Sequence, residues 1–399
     1  MPPESNASSA APAPRFFRDG LTGLRALAAL WVTMFYLNAL VGPKVISVGI
    51  FGFECHLHPL ITIGWVGANI FFVLSGFLLT THLMETQRPA WPRLTFRNYF
   101  IARIRRVFPA YWAQLAVLFL IAVATSRALP EWTDTIPLHL PMIHNLTERA
   151  SFAINPVYWT LPIEFSFYLC LPLVARWLLR AEVEGGAARW RTLAFVVLGT
   201  LTLSWCYRIV VFSAYRDSPV NTIVWALSQI PGTIDQFILG TAAAAALRWW
   251  KQDGHLARRG MASLLCAASL AGIVAMMYFL DSIFAVYWSG HWAVYVWYSA
   301  AAGFVALLIV SIALSGALPR GLFENRVAIF LGTISYSIYL WHFPIAVALA
   351  QALDAPRLGL GRFVLIALPA ILAASCVSYY LVERPFLARK AAELAPRPT

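Results

Sequence analysis

Residues 64–80, GWVGANIFFVLSGFLLT, contain no charged side chain, and they decide the class of fold. A helix needs about 20 mostly apolar residues to cross the hydrocarbon core of a bilayer, so this stretch and its flanks are long enough for a span. Its three glycines and Ser75 would let neighbouring helices approach closely, whereas Asn69 is a polar group that needs a partner. The stretch therefore predicts a transmembrane helix packed inside a bundle.

The whole chain shares this apolar character. Its 399 residues are 60% hydrophobic and only 12% charged, while an average soluble domain is about 25% charged. This composition excludes an ordinary soluble enzyme, and it excludes a disordered protein, which would be poor in apolar residues. A net charge of +12 can indicate nucleic-acid binding, but that requires a basic face on a soluble domain. We expect no nucleic-acid partner.

Ten segments are long and apolar enough to be drawn as spans, so the predicted fold class is all-α, a polytopic membrane helical bundle. The third segment is short and follows an amphipathic stretch, and the sixth contains Pro231, Gly232 and Asp235, which suggests a kinked or partly re-entrant helix. The predicted spans are 21–42, 61–83, 109–125, 157–176, 192–212, 222–246, 261–280, 292–316, 327–350 and 363–382.

The basic residues orient this bundle. If the N-terminus is cytoplasmic, 22 of the 30 Lys and Arg residues fall on the cytoplasmic side, 7 fall on the opposite side, and Arg25 lies within the first span. Cytoplasmic loops of membrane proteins carry such an excess of positive charge. We therefore predict ten spans with both termini in the cytoplasm.

The chain divides into one domain with short ends. Residues 1–14 are rich in Ser, Ala and Pro and predict a disordered leader, residues 15–390 form a single membrane domain, and residues 391–399 form a short cytoplasmic tail. The five cysteines show neither a CxxC pattern nor a spacing with histidine that suits a metal, so no metal site is predicted.

Arg25 and Tyr36 are polar residues of the first span that share a helix face. They are eleven residues apart, which corresponds to about 16 Å of helical rise and nearly the same angular position. Ionisable groups inside spans are functional candidates, so the pair predicts a cleft with an arginine near one end and a phenol near the middle. The alternative is an arginine that extends to the membrane surface and an ordinary packed tyrosine.

Four arginines precede the third span in RNYFIARIRRVFPAYW, residues 97–112. Arg103 and Arg106 are three residues apart and lie on one helix face. Guanidinium groups suit phosphate and pyrophosphate, so we predict that this segment binds a phosphorylated donor; attraction to anionic lipid headgroups is the alternative. The predicted donor-binding residues are Arg97, Arg103, Arg105 and Arg106.

Three further ionisable residues fall within apolar segments: Glu164, Asp235 and His342. Each carboxylate is predicted either to pair with an arginine or to take part in proton transfer. His342 is either a satisfied buried histidine or a base. Asn69 and Ser75 are predicted as polar residues with a substrate-binding or structural role.

Together these segments resemble the acyltransferase-3 family of integral membrane acyltransferases. The similarity runs from about residue 18 to residue 386, in the right order. The segments that carry it are DGLTGLRALAALWV, GANIFFVLSGFL, ARIRRVFPAYW, WTLPIEFSFYLCLPL, ISYSIYLWHFPI and LVERPF. The resemblance implies transfer of an acyl group, commonly acetyl from cytosolic acetyl-CoA, to a hydroxyl group.

The resemblance also implies roles for particular residues. The family's arginine-x10-histidine motif falls on Arg25 and position 36, its RxxR element on Arg103 and Arg106, and its glutamate on Glu164. Position 36, however, is tyrosine, and a phenol titrates near pH 10, so it is a poor base at neutral pH. Three explanations for the tyrosine are open. It is an engineered substitution, or another group such as His342 acts as the base, or the protein has lost catalysis and kept binding.

The predicted function is that of a membrane O-acyltransferase of the bacterial inner (cytoplasmic) membrane. Its partners would be acyl-CoA as the donor, membrane lipids, and a hydroxyl acceptor on a cell-envelope or exported glycan; a small natural product such as a macrolide is the alternative acceptor. The competing function is a catalytically degenerate or transporter-like protein that binds an acyl donor or a lipid-linked glycan. The predicted catalytic residues are Arg25, Tyr36, Glu164 and His342.

Overall fold

The computed structural model describes residues 15–42, 47–50, 53–86, 96–125, 132–255 and 259–387. The predicted leader at 1–14, the predicted tail at 391–399 and Arg88 lie outside the described residues. In the described part of the chain, long helices form nearly all of the regular structure, as the apolar segments predict.

Within the described residues, ten helices form the bundle, and each contains a stretch long and apolar enough to cross a membrane. This confirms the predicted all-α membrane fold with ten spans. The helices are α1 (Arg15–Val41), α2 (Val66–Thr86), α3 (Phe96–Thr125), α4 (Thr160–Glu184), α5 (Gly186–Tyr215), α6 (Ile230–Gln252), α7 (Arg259–Ser282), α8 (Ala293–Ala313), α9 (Ser335–Leu353) and α10 (Leu360–Ser378).

Shorter elements connect these helices. An antiparallel hairpin of β1 (Ser47–Ile50) and β2 (Phe53–His56) follows α1, and it contains Cys55, which the sequence places in a loop. The short helices are His58–Thr62, Ile136–His139, Glu148–Phe152, Val220–Leu227, Phe284–Tyr287, Ala317–Phe323, Arg326–Thr333 and Ala355–Leu358. The segments His144–Leu146 and Pro156–Trp159 are 3-10 turns, and Tyr379–Glu383 is a π-helical turn.

The structure corrects the predicted start of the third span. The amphipathic stretch and the apolar stretch form one helix of 30 residues, which continues through Pro109. The span predicted at 109–125 is therefore only the second half of α3. As a consequence, Arg103 and Arg106 are held on the same rigid helix that enters the membrane.

Two other predicted spans are divided. The span predicted at 222–246 begins as the separate helix Val220–Leu227, the chain is extended at Gln229, and α6 starts with Pro231 in its first turn. Proline is well placed there because an N-terminal N–H has no partner within the helix. The predicted kink is thus a helix start. The span predicted at 327–350 likewise divides at Ile334, between Arg326–Thr333 and α9.

The centre of the bundle is α2, which packs against α1, α4, α6 and α8. Its contact with α6 depends on two glycines. A Cβ atom at Gly76 would lie 2.0 Å from the carbonyl oxygen of Phe237, and one at Gly240 would lie 2.0 Å from the carbonyl oxygen of Val73. Both distances are far below van der Waals contact, so the two backbones can meet only because these residues have no side chain.

We expect Gly76→Ala and Gly240→Ala each to destabilise the protein by about 1–3 kcal/mol, because the added methyl group forces the two helices apart. Thermal unfolding in detergent measures this as a lower midpoint. Gly303→Ala is the matched control, since Gly303 is also helical and a Cβ atom there meets nothing within 4 Å. Equal midpoints for all three variants would contradict the role of the glycines.

Candidate active site

A narrow cavity lies where α1, α2, α3, α4 and α9 meet. Its volume is about 60 Å³, which is room for about four water molecules. The predicted site residues Arg25, Ser75, Arg106 and Glu164 all line it, so the fold brings together side chains from four different helices. The other lining residues are Ala68, Phe71, Phe72, Val107, Thr160, Leu161, Tyr168, Ser335, Tyr336 and Tyr339.

The carboxylate of Glu164 is held in this cavity by two hydroxyl groups. Ser75 Oγ donates a hydrogen bond to Glu164 Oε1, and Tyr168 OH donates to the same oxygen at 2.5 Å. The described residues include no arginine in direct ion-pair contact with Glu164. Glu164 is thus a hydrogen-bonded carboxylate that makes no contact ion pair with the described arginines, and its predicted role in proton transfer stays a prediction.

Arg25, Arg103 and Arg106 are close to this carboxylate but unpaired. Arg103 is 8% exposed and its guanidinium lies 5.8 Å from the centre of the Tyr99 ring. The Nε atoms of Arg25 and Arg103 are buried without a hydrogen-bond partner. Among the residues with described positions, none of the three guanidinium groups forms an ion pair. Buried unpaired cations are costly, so the arrangement favours an anionic ligand.

Of the four predicted donor-binding arginines, Arg106 lines this cavity, and Arg103 is buried one turn before it on α3. Arg97 is exposed near the start of α3, and Arg105 is half-buried, but neither residue lines the cavity. The helical period explains this, because Arg105 is rotated by about 100° from Arg106 and faces a different direction.

Tyr36 belongs to an aromatic cluster beside the cavity and does not line it. Its ring centre lies 5.3 Å from that of His342 and 5.0 Å from that of Phe343. Tyr339 lies between the two regions, since it lines the cavity and its ring centre is 5.7 Å from His342. The structure therefore brings Tyr36 and His342 together, and Tyr339 separates them from Arg25 and Glu164.

The two ring nitrogens of His342 differ in their hydrogen bonding: among the described residues Nδ1 has a partner and Nε2 has none. The residue is fully buried, and its Nδ1 lies 3.1 Å from the carbonyl oxygen of Ile338. A carbonyl can only accept, so Nδ1 carries the proton, and Nε2 has a free lone pair in the neutral ring. Nε2 is buried without a partner. This is the geometry of an available proton acceptor.

Asn69 finds its predicted partner on α6. Its side-chain amide donates to Gln236 Oε1, and further along the same interface the hydroxyl of Thr80 contacts that of Thr241 at 3.0 Å. Both amide side chains are buried. Asn69 thus contributes to the α2–α6 contact and does not line the cavity that contains Glu164.

Asp235 is a member of a closed ion network away from the cavity. Arg208 NH2 donates to both carboxylate oxygens at 2.8 and 2.9 Å, and Ser299 also donates to Asp235. The Arg208 guanidinium is further bonded to the carbonyl oxygens of Gly232 and Tyr295. Asp235 is therefore paired with an arginine, one of its two predicted roles, and Arg208 is buried within the bundle.

Sequence reasoning missed Glu383. The motif LVERPF predicts a capped helix end, yet Glu383 is 7% exposed and accepts a hydrogen bond from Ser337. It lies in the π-helical turn Tyr379–Glu383, where its side chain is buried. The signal that could have revealed this role is an acidic residue at the end of an apolar span, since inward-facing carboxylates in spans have functional or pairing roles.

Two histidines outside the spans also pack together. His139 and His144 are fully buried and stack with ring centres 4.4 Å apart and planes within 5°. Burial lowers the pKa of His139 and lowers the pKa of His144 to about 3. Both rings are therefore neutral near pH 7, and they stabilise the connection between α3 and α4.

The chain belongs to the acyltransferase-3 family: the family's profile, described as an acyltransferase domain, matches residues 18–383. The fold is thus that of a membrane acyltransferase domain. This agrees with the resemblance of the ordered motifs.

The named relatives are distant. O-acetyltransferase OatA of Staphylococcus aureus (strain NCTC 8325 / PS 47) is 26% identical over 93% of this chain, and a protein of strain MSSA476 that is provisionally named an O-acetyltransferase is 23% identical over the same share. The chain spans 57% of the length of both relatives. No solved structure matches the chain.

We expect Asp235→Asn to lower the stability of the bundle by about 3–5 kcal/mol, because it leaves the buried charge of Arg208 uncompensated. The unfolding midpoint of the purified protein in detergent measures this loss. Asp217→Asn is the control: Asp217 is also next to an arginine, but its side chain is 96% exposed. If both variants unfold at the wild-type temperature, the ion network has no structural role.

Proposed function

We propose that this protein is a membrane O-acyltransferase of the bacterial cytoplasmic membrane. It moves an acetyl group from acetyl-CoA, bound from the cytoplasmic side, to a hydroxyl of a cell-envelope or exported glycan. Family membership supports the reaction class. The observation that carries the proposal is a group of three arginines that form no ion pair among the described residues. Arg25 and Arg106 line the cavity that contains Glu164, and Arg103 is buried one turn before Arg106 on α3.

The arginines suit the donor because coenzyme A is a polyanion. Its pyrophosphate and ribose phosphate would compensate the guanidinium charges of the buried Arg103 and the half-buried Arg106, and guanidinium forks bind phosphate oxygens in pairs. Arg25 lies in α1 within the same cavity and would hold the thioester end. The small volume of about 60 Å³ supports a short acyl group such as acetyl.

The transfer needs a base, and His342 Nε2 is the proposed acceptor of the proton. The acceptor oxygen attacks the thioester carbonyl carbon, the new C–O bond forms, and the C–S bond breaks. His342 Nε2 takes the hydroxyl proton and returns it to the sulfur of the departing coenzyme A. Tyr36 would orient the His342 ring, and Glu164 would orient the donor side of the cavity through Ser75 and Tyr168. Proximity in a site with little water would supply much of the rate.

Binding without transfer is the second candidate function, and one observation favours it. Tyr36 stands where the family motif has histidine, so a protein that retains the arginine site but lacks a base would bind the donor and leave it intact. Labelled acetyl-CoA incubated with the purified protein and cell-envelope glycans or macrolides distinguishes the two. Transfer of label to any acceptor rules out the binding-only function.

We expect the double variant Arg103→Gln/Arg106→Gln to bind acetyl-CoA at least tenfold more weakly, because a hydrogen bond to a charged group contributes about 1.5–3 kcal/mol. Calorimetric titration of the detergent-solubilised protein measures the affinity. Arg180→Gln is the control, since Arg180 is an exposed arginine of α4 outside the cavity. Wild-type affinity in the double variant would contradict the donor site.

We expect His342→Gln to reduce acetyl transfer by about 10²–10⁴-fold, the usual contribution of a general base. Tyr36→Phe keeps the ring that packs against His342 and should retain transfer within a few-fold of wild type. Acetyl-CoA binding should be unchanged in both variants. The opposite pattern, with Tyr36→Phe inactive and His342→Gln active, would assign proton transfer to the Tyr36 phenol.

A further inference from the structure

A second, smaller cavity lies between α2, α5, α6 and α8. Its volume is about 30 Å³, and the Asn69–Gln236 hydrogen bond forms part of its wall. Two features distinguish the lining: three aromatic rings and several uncharged polar groups. The lining residues used below are Asn69, Trp159, Ser228, Gln236, Trp288 and Tyr298.

Only a thin wall separates this second cavity from the cavity that contains Glu164. Trp159 lines the second cavity and the next residue, Thr160, lines the first. On α2, Asn69 lines the second cavity while Ala68 and Phe72 line the first, and the rings of Phe72 and Trp159 are 6.0 Å apart. The two cavities therefore lie on opposite sides of the contact between Phe72 and Trp159.

Among the described residues, no unpaired charged side chain lines the second cavity. Arg208 lines it, but its guanidinium is neutralised by the two-oxygen contact with Asp235. This differs from the first cavity, where Arg25 has no ion pair among the described residues. A carboxylate or phosphate would gain no unpaired cation in the second cavity, so the site favours a neutral ligand.

Both amide groups retain hydrogen-bonding capacity toward this ligand. The bond between them uses one N–H of Asn69 and one oxygen of Gln236, which leaves Asn69 Oδ1 as an acceptor and Gln236 Nε2 as a donor. An alcohol hydroxyl both donates and accepts, so it can engage the two groups at once. The half-exposed faces of Trp159 and Trp288 can cover the apolar C–H face of a ring.

We propose that the second cavity is the acceptor site, and that it binds the hydroxyl-bearing edge of a neutral sugar or related cyclic polyol. This rests on the proposed transferase function and specifies where the acceptor enters. A volume of about 30 Å³ admits about two water molecules. It therefore holds one hydroxyl or hydroxymethyl arm, while the ring remains outside against Trp288.

Ligand-observed NMR tests the site with defined probes. The probes are the methyl β-glycosides of glucose, galactose and N-acetylglucosamine, with methyl β-glucuronide as the charged counterpart. We expect at least one neutral glycoside to bind the wild-type protein, and the glucuronide to bind at least tenfold more weakly. Trp288→Leu and Gln236→Met should each weaken binding of the neutral glycoside at least tenfold.

Two controls make the result specific. Trp292→Leu removes an indole from the same loop, but Trp292 is 59% exposed and outside the cavity, so this variant should bind the glycoside as wild type does. Acetyl-CoA affinity, measured on the same preparations, should be unchanged in all variants and reports that they are folded.

The outcomes separate the two proposals. The acceptor site is overturned if no neutral glycoside binds, if the glucuronide binds equally well, or if Trp288→Leu and Trp292→Leu behave alike while acetyl-CoA still binds. If the wild-type protein does not bind acetyl-CoA, that result instead overturns the proposed transferase function.

Discussion

A charged group inside a membrane bundle must be compensated, and this requirement orders the interior of the protein. Arg208 satisfies it completely, because Asp235, Ser299 and two backbone carbonyls surround the guanidinium. Arg25 does not, since Glu164, the carboxylate that lines the same cavity, accepts hydrogen bonds from the hydroxyls of Ser75 and Tyr168 instead. The charge of Arg208 is fully compensated by its partners, and this arrangement stabilises the fold. The charge of Arg25 is not compensated by an ion pair among the described residues, so it is available to a ligand.

The central helix α2 joins these two environments. Its glycines allow the backbones of α1 and α6 to approach closely: a Cβ at Gly67 would lie 2.5 Å from the Ala28 carbonyl oxygen, and one at Gly76 would lie 2.0 Å from that of Phe237. Ser75 and Asn69 are six residues apart, which places them about 240° apart around the helix axis. Ser75 therefore faces Glu164, whereas Asn69 faces Gln236 and the second cavity. One helix thus contributes to both sites.

Sequence patterns predicted the number of spans because each span is a long local run of apolar residues. They predicted the boundaries less well. The start of α6 was misplaced because Pro231 was read as a kink within a longer span, whereas it lies in the first turn of a new helix. Glu383 was missed for a different reason: a carboxylate at a helix end has the same local pattern whether it faces water or, as here, Ser337 of α9.

The sequence by itself determined the membrane class, the ten spans, the family, and the residue types available for chemistry, because hydropathy and motif order are properties of neighbouring residues. Only the tertiary structure decided which of those residues meet. It paired Asp235 with Arg208, placed Glu164 with Arg25 and Arg106, and set Tyr36 against His342. These partners lie on different helices, so their contacts depend on helix packing and rotation, and a pattern read along one chain segment contains neither.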